Sequence, residues 1–116
     1  MSNIPDYTDT ERSIVQQTVK ERYGKPVDVQ SADAEIRLYP DDRELTSVPV
    51  LYWEARGAHF VIFKVGEKSY RNQFFYSSRE QFGTGREEYD EIGDCVITLL
   101  RVQADHESTR ASDKVD

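Results

Sequence analysis

The chain is poor in the residues that build disulfide and metal frameworks: its 116 residues include one cysteine, Cys95, and two histidines, His59 and His106. A lone cysteine excludes an intrachain disulfide, and one cysteine with two histidines falls short of the four-ligand Cys/His sets of a structural zinc site. Neither a metal nor another cofactor is expected. Long apolar runs are missing too, since none approaches the roughly 20 residues of a spanning helix. The opening MSNIPDYTDTER lacks the basic and apolar segments of a secretory signal. A soluble, cytoplasmic protein with no membrane partner is the expectation. Basic side chains are outnumbered, 15 Lys and Arg against 22 Asp and Glu, for a formal charge of −7. Affinity for phosphate backbones needs cationic surface, so nucleic acid is not an expected partner.

What the chain has is one stretch dense in strand formers. From Val48 to Tyr76 the sequence reads VPVLYWEARGAHFVIFKVGEKSYRNQFFY, rich in the β-branched and aromatic types that fit a pleated, half-buried surface. Arg56-Gly57 and Gly66-Glu67 punctuate it as hairpin turns. A two-residue turn at Arg56-Gly57 pairs Ala55 with Ala58, Trp53 with Phe60 and Leu51 with Ile62 on one face. Glu54 then faces His59, Tyr52 faces Val61 and Val50 faces Phe63 on the other. A two-residue turn at Gly66-Glu67, with Gly at the first position of a type II′ turn, sets Tyr70, Phe74 and Tyr76 beside Val50, Val61 and Phe63. Arg71, Gln73 and Phe75 then stand beside Trp53 and Phe60. A loop one residue longer, Gly66 to Lys68, would exchange the two sets. Both faces of this meander are largely apolar, so something must cover each.

Helices flank it. Thr8-Asp9-Thr10-Glu11 is a capping box, Val15, Val19 and Tyr23 form a stripe four residues apart, and Gly24 with Pro26 marks the end. Residues 27–39 alternate as a half-polar edge strand, with a parity change that predicts a bulge near Gln30-Ser31. Residues 77–86 read as a loop. A second helix is predicted from a capping box at Thr84 to Glu87, its stripe running through Tyr89, Ile92, Val96, Leu99 and Gln103. The run CVITLLRV could also be a strand, but its pattern outlasts a strand's usual length. The resulting fold class is α+β: a single domain over 8–106, with an N-terminal helix, a four-stranded antiparallel sheet (edge strand plus meander) and a C-terminal helix. Residues 1–7 are expected to be a flexible arm and 107–116 a disordered tail.

Candidate chemistry is sparse, and each candidate has a plain structural alternative. Glu54 and His59, opposite each other, could be an acid/base pair in a cavity between sheet and helix, or simply a cross-strand ion pair. Pro40-Asp41 followed by Glu54-Ala55-Arg56 resembles the restriction-nuclease-like arrangement of Asp, Glu and Lys around a divalent cation. Arg56 stands where that pattern has Lys. The resemblance implies a metal-dependent nuclease using Asp41 and Glu54, whereas the plain reading is a Pro-Asp turn and surface charges. Gly83-Thr84-Gly85 with Arg79 and Arg86 could bind an anion, although the acidic run after it repels one. Cys95 lies on an apolar helical stripe and reads as core. Trp53, Phe60, Arg71, Gln73 and Phe75 combine aromatics with Arg, the composition enriched at interface centres. The leading expectation is therefore a non-enzymatic accessory or adaptor domain that binds a protein partner or a second copy of itself through an apolar sheet face.

Overall fold

The computed structural model describes residues 4–77 and 80–113. It is α+β: helix α1 (Asp9–Tyr23), strands β1 (Gln30–Ile36), β2 (Thr46–Ala55), β3 (Ala58–Gly66), β4 (Ser69–Ser77) and β5 (Glu80–Phe82), and helix α2 (Ile92–Asp113). The strands form one antiparallel sheet in the order β1-β2-β3-β4-β5. The sheet thus has one strand more than expected, because three residues of the supposed 77–86 loop pair with β4. Among the described residues no helix is long and apolar enough to cross a membrane.

Local chemistry sets α1 as anticipated. The Thr8 side chain accepts from Glu11 N, the Glu11 carboxylate accepts from Thr8 N, and Gly24 closes the helix in the left-handed conformation at φ 71°. Replacing Thr8 with Ala should cost about 1 kcal/mol in urea unfolding, the usual worth of such a cap. The start of α2 differs from expectation. Tyr89 exchanges backbone hydrogen bonds with Tyr70 of β4, which ties the chain to the sheet at this point, and the helix begins only at Ile92. At its far end α2 continues through Asp113, so residues 107–113 of the expected tail are helical, and 114–116 lie outside the described residues. The expected arm is anchored as well, since Tyr7 is buried and its hydroxyl donates to Ile62 O at 2.7 Å. Residues 1–3 lie outside the described set.

The β2–β3 register is the one the Arg56-Gly57 turn demands, from Ala55↔Ala58 to Val50↔Phe63. Arg56 and Gly57 both carry positive φ, 55° and 79°, as a type I′ turn requires. The next hairpin corrects the expectation. Gly66 pairs with Ser69 across Glu67-Lys68, and the register shifts between Lys64 and Gly66. The extra residue, Val65, moves β4 by one position, so Phe74 faces Phe60 and Asn72 faces Ile62. No bulge interrupts β1 from Gln30 to Ile36. The parity change there has another cause: Val27 and Val29 pack against the core, whereas Ala32 and Ala34 pair with Val50 and Val48 on the opposite face.

Both helices lie on one side of the sheet. Val15 and Val19 of α1 and Ile92, Cys95, Val96, Leu99 and Leu100 of α2 share a core with Leu51, Trp53, Ala58, Phe60, Ile62, Tyr70 and Phe74. The other face carries Val48, Val50, Tyr52, His59, Val61, Phe63, Arg71, Gln73 and Phe75.

Candidate functional site

The one-residue shift in β4 divides the expected binding set. Trp53 and Phe60 are completely buried beneath the helices, their rings stacked at 5.2 Å, so they are core and offer nothing to a partner. Arg71, Gln73 and Phe75 stand on the opposite face, paired with Phe63, Val61 and His59.

That opposite face is not uniform. At one end Arg71 Nη2 reaches from β4 to Leu38 O at 2.8 Å and to Glu88 Oε2 at 3.2 Å. The connection after β1 must therefore cross the sheet at this end, which accounts for the burial of Val48 and Val50. Toward the β2–β3 turn no element lies over the face among the described residues. Tyr52, His59, Val61, Gln73 and Phe75 are half-buried there, and so is Phe63 at its border, in the row of Val50 and Arg71. Apolar side chains hold the middle, and Glu54, Gln73 and Gln30 stand around them.

Glu54 and His59 do meet across the hairpin, with 3.4 Å between Oε2 and Nδ1. The Tyr52 hydroxyl lies nearer to the same nitrogen, at 2.6 Å, and the imidazole stacks on Phe75 at 5.0 Å. The ring is thus held in an aromatic row on the sheet surface. Both helices pack on the other side of the sheet, so this pair faces no cavity between sheet and helix. Asp41 and Glu54 are not brought together. Asp41 belongs to the connection that enters β2 at Thr46, whereas Glu54 lies at the far end of that strand beside the β2–β3 turn, about 27 Å from Thr46 at a strand's rise per residue. Among the described residues no group of three or more His, Cys, Asp or Glu side chains could hold a metal ion. Arg86 packs over the Tyr89 ring at 4.9 Å, and Arg79 lies outside the described residues. Cys95 is buried in the core, where burial pushes its thiol up to about 12.

One charged cluster went unanticipated. Lys64 sits on the core face of β3, 2% exposed, and its ammonium donates to Glu11 Oε1 at 2.7 Å and to Asp6 O at 3.1 Å. The Tyr70 hydroxyl donates to Glu11 Oε2, while Thr8 N donates to Oε1 at 2.7 Å. Burial penalises the Glu11 carboxylate, but donation from Lys64, Tyr70 and Thr8 outweighs it and holds the group below its ordinary range. Burial, with Glu11 as its hydrogen-bond acceptor, pushes the Tyr70 phenol up. The cluster floors a depression of about 560 Å³ lined also by Pro5 and Lys68. Both Glu11 oxygens and two Lys64 donors are already engaged, so it works as a lock between the N-terminal segment, α1 and the sheet. The signal in the sequence was parity: in FVIFKV, Lys64 falls in step with Phe60 and Ile62.

No family model, curated protein or solved structure matches the chain. The functional reading rests on its own geometry.

Proposed function

We propose that this protein is a non-enzymatic association domain that pairs with a second copy of itself through the uncovered part of its sheet, centred on Val61 and Phe63. One observation carries the reading: both helices pack on the Trp53 and Phe60 face, while the opposite face keeps Tyr52, Val61, Phe63 and Phe75 only half-buried. An antiparallel sheet with one wet face ordinarily turns polar residues to the water. Apolar side chains in the middle with polar groups around them are the anatomy of an interface. A flat apolar sheet surface is also self-complementary, because two copies related by a two-fold stack as the halves of a sandwich at about 10 Å.

The uncovered patch is small. Four strands about 4.8 Å apart and three rows about 6.8 Å apart, the Val50–Phe63–Arg71 row being partly covered, give a footprint of at most ~400 Å², below the ~800 Å² per partner of a standard interface. The pair should therefore be reversible, with dissociation at micromolar concentration. Sedimentation velocity from 1 to 200 μM should show a monomer–dimer equilibrium. Val61→Glu with Phe63→Glu should abolish the dimer and leave the far-UV circular dichroism unchanged, because neither side chain belongs to the core beneath the helices. A wild-type monomer throughout that range, or a dimer undisturbed by the double substitution, would refute the reading.

A further inference from the structure

We infer that the outer edge of β1 is a second binding surface, one that receives an extended segment of another protein bearing lysine or arginine at alternate positions. The backbone geometry comes first. The Arg56-Gly57 turn makes Ala55↔Ala58 a hydrogen-bonded pair, and antiparallel ladders alternate. Leu51 and Trp53 therefore direct their backbone groups toward β3, and Val48, Val50 and Tyr52 direct theirs toward β1. Their partners are Ala34, Ala32 and Gln30. By the same alternation the N–H and C=O groups of Ser31, Asp33 and Glu35 point away from the sheet. Among the described residues β1 neighbours only β2, and Gln30 to Asp33 and Glu35 are exposed. A row of outward donors and acceptors is a template for one more strand.

Side chains select the occupant. Asp33 and Glu35 share one face of β1, the side of Leu51 and Trp53, two residues apart. Adding a second copy's β1 in antiparallel register would set acidic residues against acidic residues, and like charges directly opposite destabilise a pair. The edge thereby rejects its own kind, and it remains complementary to a cationic strand. On the other face Ala32, Ala34 and Ile36 continue the apolar surface of Val50 and Val48. An added strand with basic residues on one side and small apolar residues on the other meets both requirements. The charge context agrees: residues 28–44 hold six carboxylates and two arginines. This surface is separate from the Val61 and Phe63 patch and stands whether or not the protein dimerises.

The test is fluorescence anisotropy with labelled eight-residue peptides on the full-length protein. Alternating Lys-Val should bind at least tenfold more tightly than Glu-Val and than a block peptide of four lysines and four valines. Asp33→Pro removes one outward N–H and keeps the β1–β2 ladder, since proline is tolerated on an edge strand when its nitrogen faces solvent. It should weaken binding at least tenfold. Asp33→Asn with Glu35→Gln should weaken it severalfold and flatten the salt dependence. On the wild type, amide exchange at Ser31, Asp33 and Glu35 should slow at least tenfold with the alternating peptide, a readout that does not depend on any variant folding. Equal binding of the block peptide would overturn the inference, and so would exchange at those three amides that the peptide leaves unchanged.

Discussion

Lys64→Met should remove about 3–5 kcal/mol of stability, the cost of stranding a buried charge by deleting its partner. Small domains hold roughly 5–15 kcal/mol in all, so this substitution alone brings the protein near its unfolding threshold. The reason lies in what remains. Glu11 keeps its burial and the Tyr70 and Thr8 donors and loses the cation that balances it. Glu11→Leu together with Lys64→Met should recover most of the loss, because an apolar pair of similar volume often replaces a buried ion pair at little cost. The cycle also fixes the pH response. Glu11 is ionised more readily in the folded protein than in the unfolded chain. Its contribution is therefore complete above the ordinary carboxylate range and fades as pH falls through the lower folded value. Acid should destabilise the wild type below about pH 4, and the double substitution should flatten that part of the profile. Urea unfolding at pH 7 and pH 3.5 measures both, and a Lys64→Met stability within 0.5 kcal/mol of wild type would contradict the lock.

The same pair marks where the sequence stops being legible. Features decided within a few residues could be read directly: the Thr8/Glu11 capping box, the left-handed Gly24 and the type I′ turn that aligns β2 with β3. Glu11 and Lys64 lie 53 positions apart, and no local pattern joins them. The second hairpin failed for a sharper reason. Gly66 suggested its own turn, but the turn is Glu67-Lys68, and Val65 is the added residue in β3. Because strand side chains alternate with period two, that one residue exchanges the faces of Arg71, Asn72, Gln73, Phe74 and Phe75. The candidate site moved with it. Both helices cover Trp53 and Phe60, the side on which a partner was expected. The fifth strand was too short to leave a periodic signal, and the α2 start follows the Tyr70–Tyr89 bridge between residues distant in sequence.

Trp53→Ala should cost about 3–5 kcal/mol, the range for truncating a buried aromatic, and Phe63→Ala much less. The contrast discriminates between the two faces. Trp53 is 0% exposed and packs among α1, α2 and Phe60. Emptying its site leaves a cavity that rigid strands cannot close. Phe63 is half-buried on the uncovered side, where solvent or a neighbour can follow a smaller side chain inward. The indole N–H has no hydrogen-bond partner among the described residues, so Trp53→Phe should lose packing alone and fall well short of the Ala variant. Dimerisation should respond in the opposite order: Phe63→Ala weakens it while the fold persists, and Trp53→Phe leaves it intact. Thermal unfolding and sedimentation on these three variants separate the roles. If Trp53→Ala retained wild-type stability and lost the dimer, Trp53 would belong to the interface and the packing of both helices on its face would be wrong. Stability and association are assigned to opposite sides of one sheet, and a single bulge decides which β4 residues serve each side.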